Sequence, residues 1–105
     1  MNEYELNEAL KKFETLLRNT PDDPNSVYIF KNFIKYFIRV KSGRYSLPAS
    51  EIMAIIQHEK PLVFSLLRKQ DSPYLYYLTN INLQYKEAKK NLDIITEQLK
   101  NDTRK

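Results

Sequence analysis

With 105 residues, 42% hydrophobic and 29% charged side chains and a net charge of +4, the chain has room for one packed core and the composition of a folded rather than a disordered protein. The absence of cysteine excludes disulfides, thiolate chemistry and cysteine-ligated zinc or iron–sulfur sites. The start Met1-Asn2-Glu3-Tyr4-Glu5 is acidic and unlike a secretory signal, and charges interrupt every apolar run before the roughly 20 residues a membrane span needs, so a cytoplasmic location is expected.

The single glycine, Gly43, and prolines at 21, 24, 48, 61 and 73 divide the chain into long unbroken segments, the pattern of an all-α protein with one helical domain over 1–105. Leu6, Leu10, Phe13 and Leu17 recur at steps of four and three, with Ala9 and Leu16 widening the stripe, and predict a first helix from about Glu3 to Arg18. Thr20 to Asn25 holds two prolines and turn-forming side chains, after which Asn25 or Ser26 is placed to cap a second helix over about Val27 to Lys41. That helix presents Phe30, Phe33, Ile34, Phe37 and Ile38 as a broad apolar face, and Gly43 suits its C-terminal cap.

Ser46-Leu47-Pro48 opens a third helix, because a first-turn proline lacks an N–H that would have no intrahelical partner anyway. Pro61 falls inside the next apolar pattern and should kink or split that helix between Glu59 and Leu62. Asp71-Ser72-Pro73 starts a fourth helix that meets no breaker from Tyr74 to about Lys100, a length of roughly 40 Å at 1.5 Å per residue. Its positions Leu78, Ile81, Tyr85, Ala88, Leu92, Ile95 and Leu99 keep a four-three repeat, a seam for the first helix or for a second chain. A polar tail, 101–105, is expected to follow. The predicted architecture is thus an antiparallel four-helix bundle with a kinked third helix and a long C-terminal one. Its buried set includes Leu6, Leu10, Phe13, Phe30, Phe33, Phe37, Ile52, Ile55, Leu66, Leu78, Ile81 and Leu92.

Charge is unevenly placed. Residues 24 to 50 carry Lys31, Lys35, Arg39, Lys41 and Arg44 without an acid, and the first three, spaced by four, form a basic stripe on the second helix. Such a stripe is either a solvated face or a contact for anionic lipid, nucleic acid or an acidic protein. Eight tyrosines and five phenylalanines are many for this length, and Tyr74, Tyr76 and Tyr77 crowd one place as a core edge or a candidate partner-binding surface.

Catalytic machinery is not legible. His58 is the only histidine, so no multi-histidine metal site can form, and Glu87, Asp93 and Glu97 interleave with Lys86, Lys89 and Lys90 as solvated charges do. One glycine cannot build a phosphate-cradling loop, and no cofactor is implied. Glu51 to Ile55 followed by Lys60 to Arg68 loosely matches a helix-turn-helix, but Leu62, Val63 and Phe64 stand where a recognition helix needs polar side chains. A non-enzymatic binding protein is the expected class.

The run Tyr36-Phe37-Ile38-Arg39-Val40-Lys41-Ser42-Gly43-Arg44-Tyr45-Ser46-Leu47-Pro48 resembles a stretch in immunity proteins against pediocin-like bacteriocins, of the enterocin A immunity type. There an aromatic, basic and aliphatic helix end meets a short loop, and serine, an aliphatic residue and proline open the third helix. Tyr36, Arg39, Val40, Lys41, Ser46, Leu47 and Pro48 occupy matching positions. The resemblance implies a cytoplasmic four-helix bundle that protects a bacterium from an antimicrobial peptide. Its partner would be a membrane receptor, the mannose phosphotransferase permease, with bacteriocin bound, and an anionic inner leaflet would be a further contact. The family's C-terminal part sets which peptide is resisted, and here the fourth helix reads longer than usual. The competing class is a small phage- or plasmid-type regulator or adaptor, dimeric through the fourth helix, that binds nucleic acid or a protein. The sequence leaves monomer and homodimer both open.

Overall fold

The computed structural model describes residues 3–40, 47–70 and 82–103. Among them lie five α-helices and one 3-10 turn, and no strand: α1 (Glu3–Asn19), the turn Pro24–Ser26, α2 (Val27–Arg39), α3 (Ala49–Glu59), α4 (Pro61–Arg68) and α5 (Tyr85–Thr103). The all-α reading holds.

Helices α1 and α2 follow the sequence periodicity. Leu6, Ala9, Leu10 and Phe13 bury one face of α1, and Phe30, Phe33, Ile34 and Phe37 bury one face of α2. The two faces meet at Phe13 and Phe33, whose rings stack with centroids 5.6 Å apart. Ile38, expected on the apolar face, is 41% exposed, because each residue turns the helix by about 100° and carries it past the edge of the stripe that Phe37 closes. The second helix also ends two residues early: Val40 is extended, with φ −72° and ψ 127°, and its side chain still reaches the core.

The cap between these helices differs from expectation. Ser26 makes no side-chain cap to α2; Asp23 accepts instead from the Ser26 N–H at 3.1 Å and from the Ser26 hydroxyl at 3.2 Å, which closes the 3-10 turn. The neighbouring Asp22 reaches much further. Its carboxylate accepts from the Leu62 N–H at 3.2 Å and the Val63 N–H at 2.9 Å, two of the first-turn donors of α4 that have no partner within their own helix.

The third helix is two helices. Lys60 (φ −131°, ψ 63°) is the whole joint between α3 and α4, and Pro61 is the first residue of α4. Two local causes act there: proline bars the helical conformation for the residue before it, and it has no N–H to continue the α3 ladder. The Lys60 N–H still closes α3 on the Ile56 carbonyl at 2.8 Å, and the Lys60 carbonyl opens α4 by accepting from Phe64 at 2.9 Å. Replacing Pro61 by alanine removes only the local bar, since the Asp22 cap remains. The joint should persist and stability should fall by less than about 1 kcal/mol. Backbone chemical shifts at Lys60 would report fusion into one helix if that expectation is wrong.

Helix α3 is the centre of the molecule. Ile52, Met53, Ala54, Ile55 and Ile56 are buried in succession, which one helical face cannot accommodate, so α3 is enclosed on several sides. Helix α5 covers it on one side and α4 packs on another. Leu66 and Leu92, expected in the core, are half-buried at its margin.

The long fourth helix is corrected at its described end. Residues 82–84 are not helical; α5 begins at Tyr85, and the Gln84 carbonyl accepts its first bond from Ala88 at 2.9 Å. The four-three seam from Tyr85 to Leu99 does face inward, with Ala88 and Leu99 fully buried, and it packs chiefly on α3 and secondarily on α1. It is thus covered within the chain. The expected tail loses its first three residues, for α5 runs through Thr103. Leu78 and Ile81 lie outside the described residues, as does Gly43.

Candidate functional site: the outer surface of α1 and α2

On α2 a core face and a solvent face are cleanly separated, and the solvent face carries the basic stripe. Lys35 and Arg39 are exposed. Lys31 is not equivalent to them: it is half-buried, and its Nζ donates to Gln70 Oε1 at 3.2 Å, while the Gln70 side-chain amide donates to the Leu66 carbonyl at 3.4 Å. Residues spaced by four advance about 40° around a helix each step, so a stripe of three spans roughly 80°. One end therefore leans toward α4 and the other stays in solvent. Lys41 and Arg44, the remaining basic residues, and Tyr74, Tyr76 and Tyr77 lie outside the described residues.

Sequence reading missed the apolar neighbours of this face. Tyr28 and Ile29 are exposed, Tyr36 is half-buried, and Ile29, Phe33 and Tyr36 join Leu16 of α1 along a groove of about 550 Å³ between the two helices. Lys12 lies over the Tyr36 ring, with its Nζ 4.5 Å from the centroid. Lys11 pairs with Glu8 at 3.6 Å on the same flank. Positions 29, 33 and 36 are helical neighbours, so the signal was available, but phenylalanines at 30, 33 and 37 drew the face toward the core.

A second cluster forms where α3 meets α5. The His58 imidazole stacks on the Tyr85 ring, with centroids 3.9 Å apart and planes 16° from parallel, and the Tyr85 hydroxyl donates to Glu59 Oε2 at 3.3 Å. Both donor and acceptor side chains sit at the surface, so this reads as a latch on the α5 start. Among the described residues no three histidines, cysteines or carboxylates converge as a metal site.

The helix-turn-helix comparison meets its difficulty at α4. Val63, Phe64 and Leu67 are buried, and the first exposed side chains of that helix are Pro61, Leu62 and Ser65. Two of these three are apolar where base edges would have to be read. No helix among the described residues is long and apolar enough to cross a membrane. No protein-family model matches the chain, and neither a curated protein nor a solved structure does.

Proposed function

We propose that this chain is a non-catalytic immunity protein that protects a bacterium against a pediocin-like peptide by docking, at the cytoplasmic face of the membrane, on the receptor that the peptide engages. One observation carries the reading. In the resembling segment, α2 ends on Arg39, two residues short of the expected helix end, with Val40 extended behind it, and α3 opens directly after Leu47-Pro48, an order of helix end, link and helix start that supports the reading. The exposed Lys35 and Arg39 add a basic face suited to an anionic leaflet or an acidic receptor surface.

Expression of the chain in a sensitive strain is expected to raise the minimum inhibitory concentration several-fold for one or a few pediocin-like peptides and not for unrelated ones. The purified protein should bind duplex DNA only at the nonspecific level, about 10⁻⁴ to 10⁻⁶ M at physiological salt. Absence of protection across a broad peptide panel, together with sequence-selective DNA binding, would replace immunity by the regulator reading.

A further inference from the structure

Scattered exposed aliphatic residues such as Ile38, Leu62 and Ile94 are ordinary on a protein surface, but those beside α1 and α2 are contiguous. Ile29, 46% exposed, Phe33 and Tyr36 line the groove along one face of α2, and Leu16 lines it from α1. From Ile29 to Tyr36 is roughly 10 Å at 1.5 Å per residue, about two helical turns. The edge is cationic. Among the described residues Lys12, Lys35 and Arg39 have no ion-pair partner, whereas Lys11 is engaged by Glu8. The Lys12 ammonium is held at the groove by the Tyr36 ring, an arrangement that leaves its charge available to an anion.

We infer that this groove is the docking site for a short, acidic, amphipathic helix of a partner protein. Its apolar side chains would enter between Ile29 and Tyr36, and its carboxylates would meet Lys12 on one flank and Lys35 and Arg39 on the other. That is the helix-in-groove mode of recognition, with the cations setting polarity of charge and on-rate. The lining is an apolar strip about two helical turns long with cations beside it, which fits the apolar face and acidic flanks of a short helix. The inference rests on the reading of the chain as a partner-binding protein and gives the partner a chemistry.

The test uses the full chain, isotope-labelled, and a stapled helical peptide of about 12 residues. Leucines line one face of the peptide and glutamates both flanks; a second peptide has lysine for every glutamate. The acidic peptide should perturb the amides of Glu8–Leu16 and Ile29–Tyr36, bind more weakly as salt rises, and bind about tenfold or more better than its lysine counterpart. Ile29→Glu should abolish that binding with the thermal midpoint retained. Ile94→Glu, at a position 48% exposed on α5, should leave it intact. Equal binding of the two peptides, perturbation centred elsewhere, or equal effects of the two variants would overturn the inference. So would capture by phosphatidylglycerol vesicles through Ile29 without peptide binding, which would make the occupant a lipid. In the protection assay the two ideas separate: failure of the parent chain to protect, with the acidic peptide seated in the groove, removes immunity alone. Full protection by Ile29→Glu removes the groove as the partner site and leaves immunity standing.

Discussion

Replacing Phe37 by alanine is expected to cost about 3–5 kcal/mol, while the same truncation one residue later, at Ile38, should cost no more than about 0.5 kcal/mol. Phe37 is 2% exposed and lies 5.9 Å from Phe33, ring centre to ring centre, in an aromatic row that continues to Phe13. Its removal forfeits the transfer free energy of a buried ring and leaves a cavity that the surrounding core can close only partly. Against a total stability of about 5–15 kcal/mol for a protein of this size, that is a large share. A fall in midpoint of at least about 10 °C should accompany it. Chemical denaturation of both variants measures the difference directly. Similar losses at the two positions would mean that α2 is rotated from the register described.

The second large effect is expected at Asp22. Its carboxylate serves two donors at the start of α4 across forty residues of sequence, so Asp22→Ala strands the Leu62 and Val63 N–H groups together and should cost about 1–2 kcal/mol. Asp22→Asn keeps one acceptor oxygen and loses the charge that favours a helix N-terminus, which places it between alanine and the parent chain. Amide hydrogen exchange at Leu62 and Val63 should accelerate in Asp22→Ala more than at Ile52 or Ile55. A loss below about 0.5 kcal/mol, the range of ordinary surface substitutions, would show that water replaces the carboxylate without penalty.

These two residues mark what the sequence could and could not disclose. Phe37 was legible because its environment is dictated by its own helix: the spacing of Phe30, Phe33 and Phe37 implies a shared face whatever packs on it. The break at Lys60 was legible for the same reason, since proline acts on the residue beside it. Asp22 was not, because a carboxylate in a turn is ordinary and its partner is forty residues away. The start of α5 was misread for a related cause. Nothing between Tyr74 and Lys100 forbids a helix, yet residues 82–84 are not helical, Leu83 and Tyr85 pack against the core, and Tyr85 stacks on His58. Asn80 and Asn82 were the local hint, as asparagine favours turns and helix starts. The candidate site was half legible. Its charges were countable in the sequence, but the groove needs α1 and α2 side by side, and only their packing brings Lys12 onto Tyr36.

The placement of α3 at the centre has a consequence for how the protein is made. Its run from Ile52 to Ile56 emerges during synthesis well before Ala88 and Leu99, the α5 side chains that bury it. Until α5 follows, α1 to α4 leave that run uncovered on one side, with a sticky flank that invites chaperones or neighbouring nascent chains. A premature stop before Tyr85 would therefore yield an aggregation-prone fragment rather than a smaller working protein.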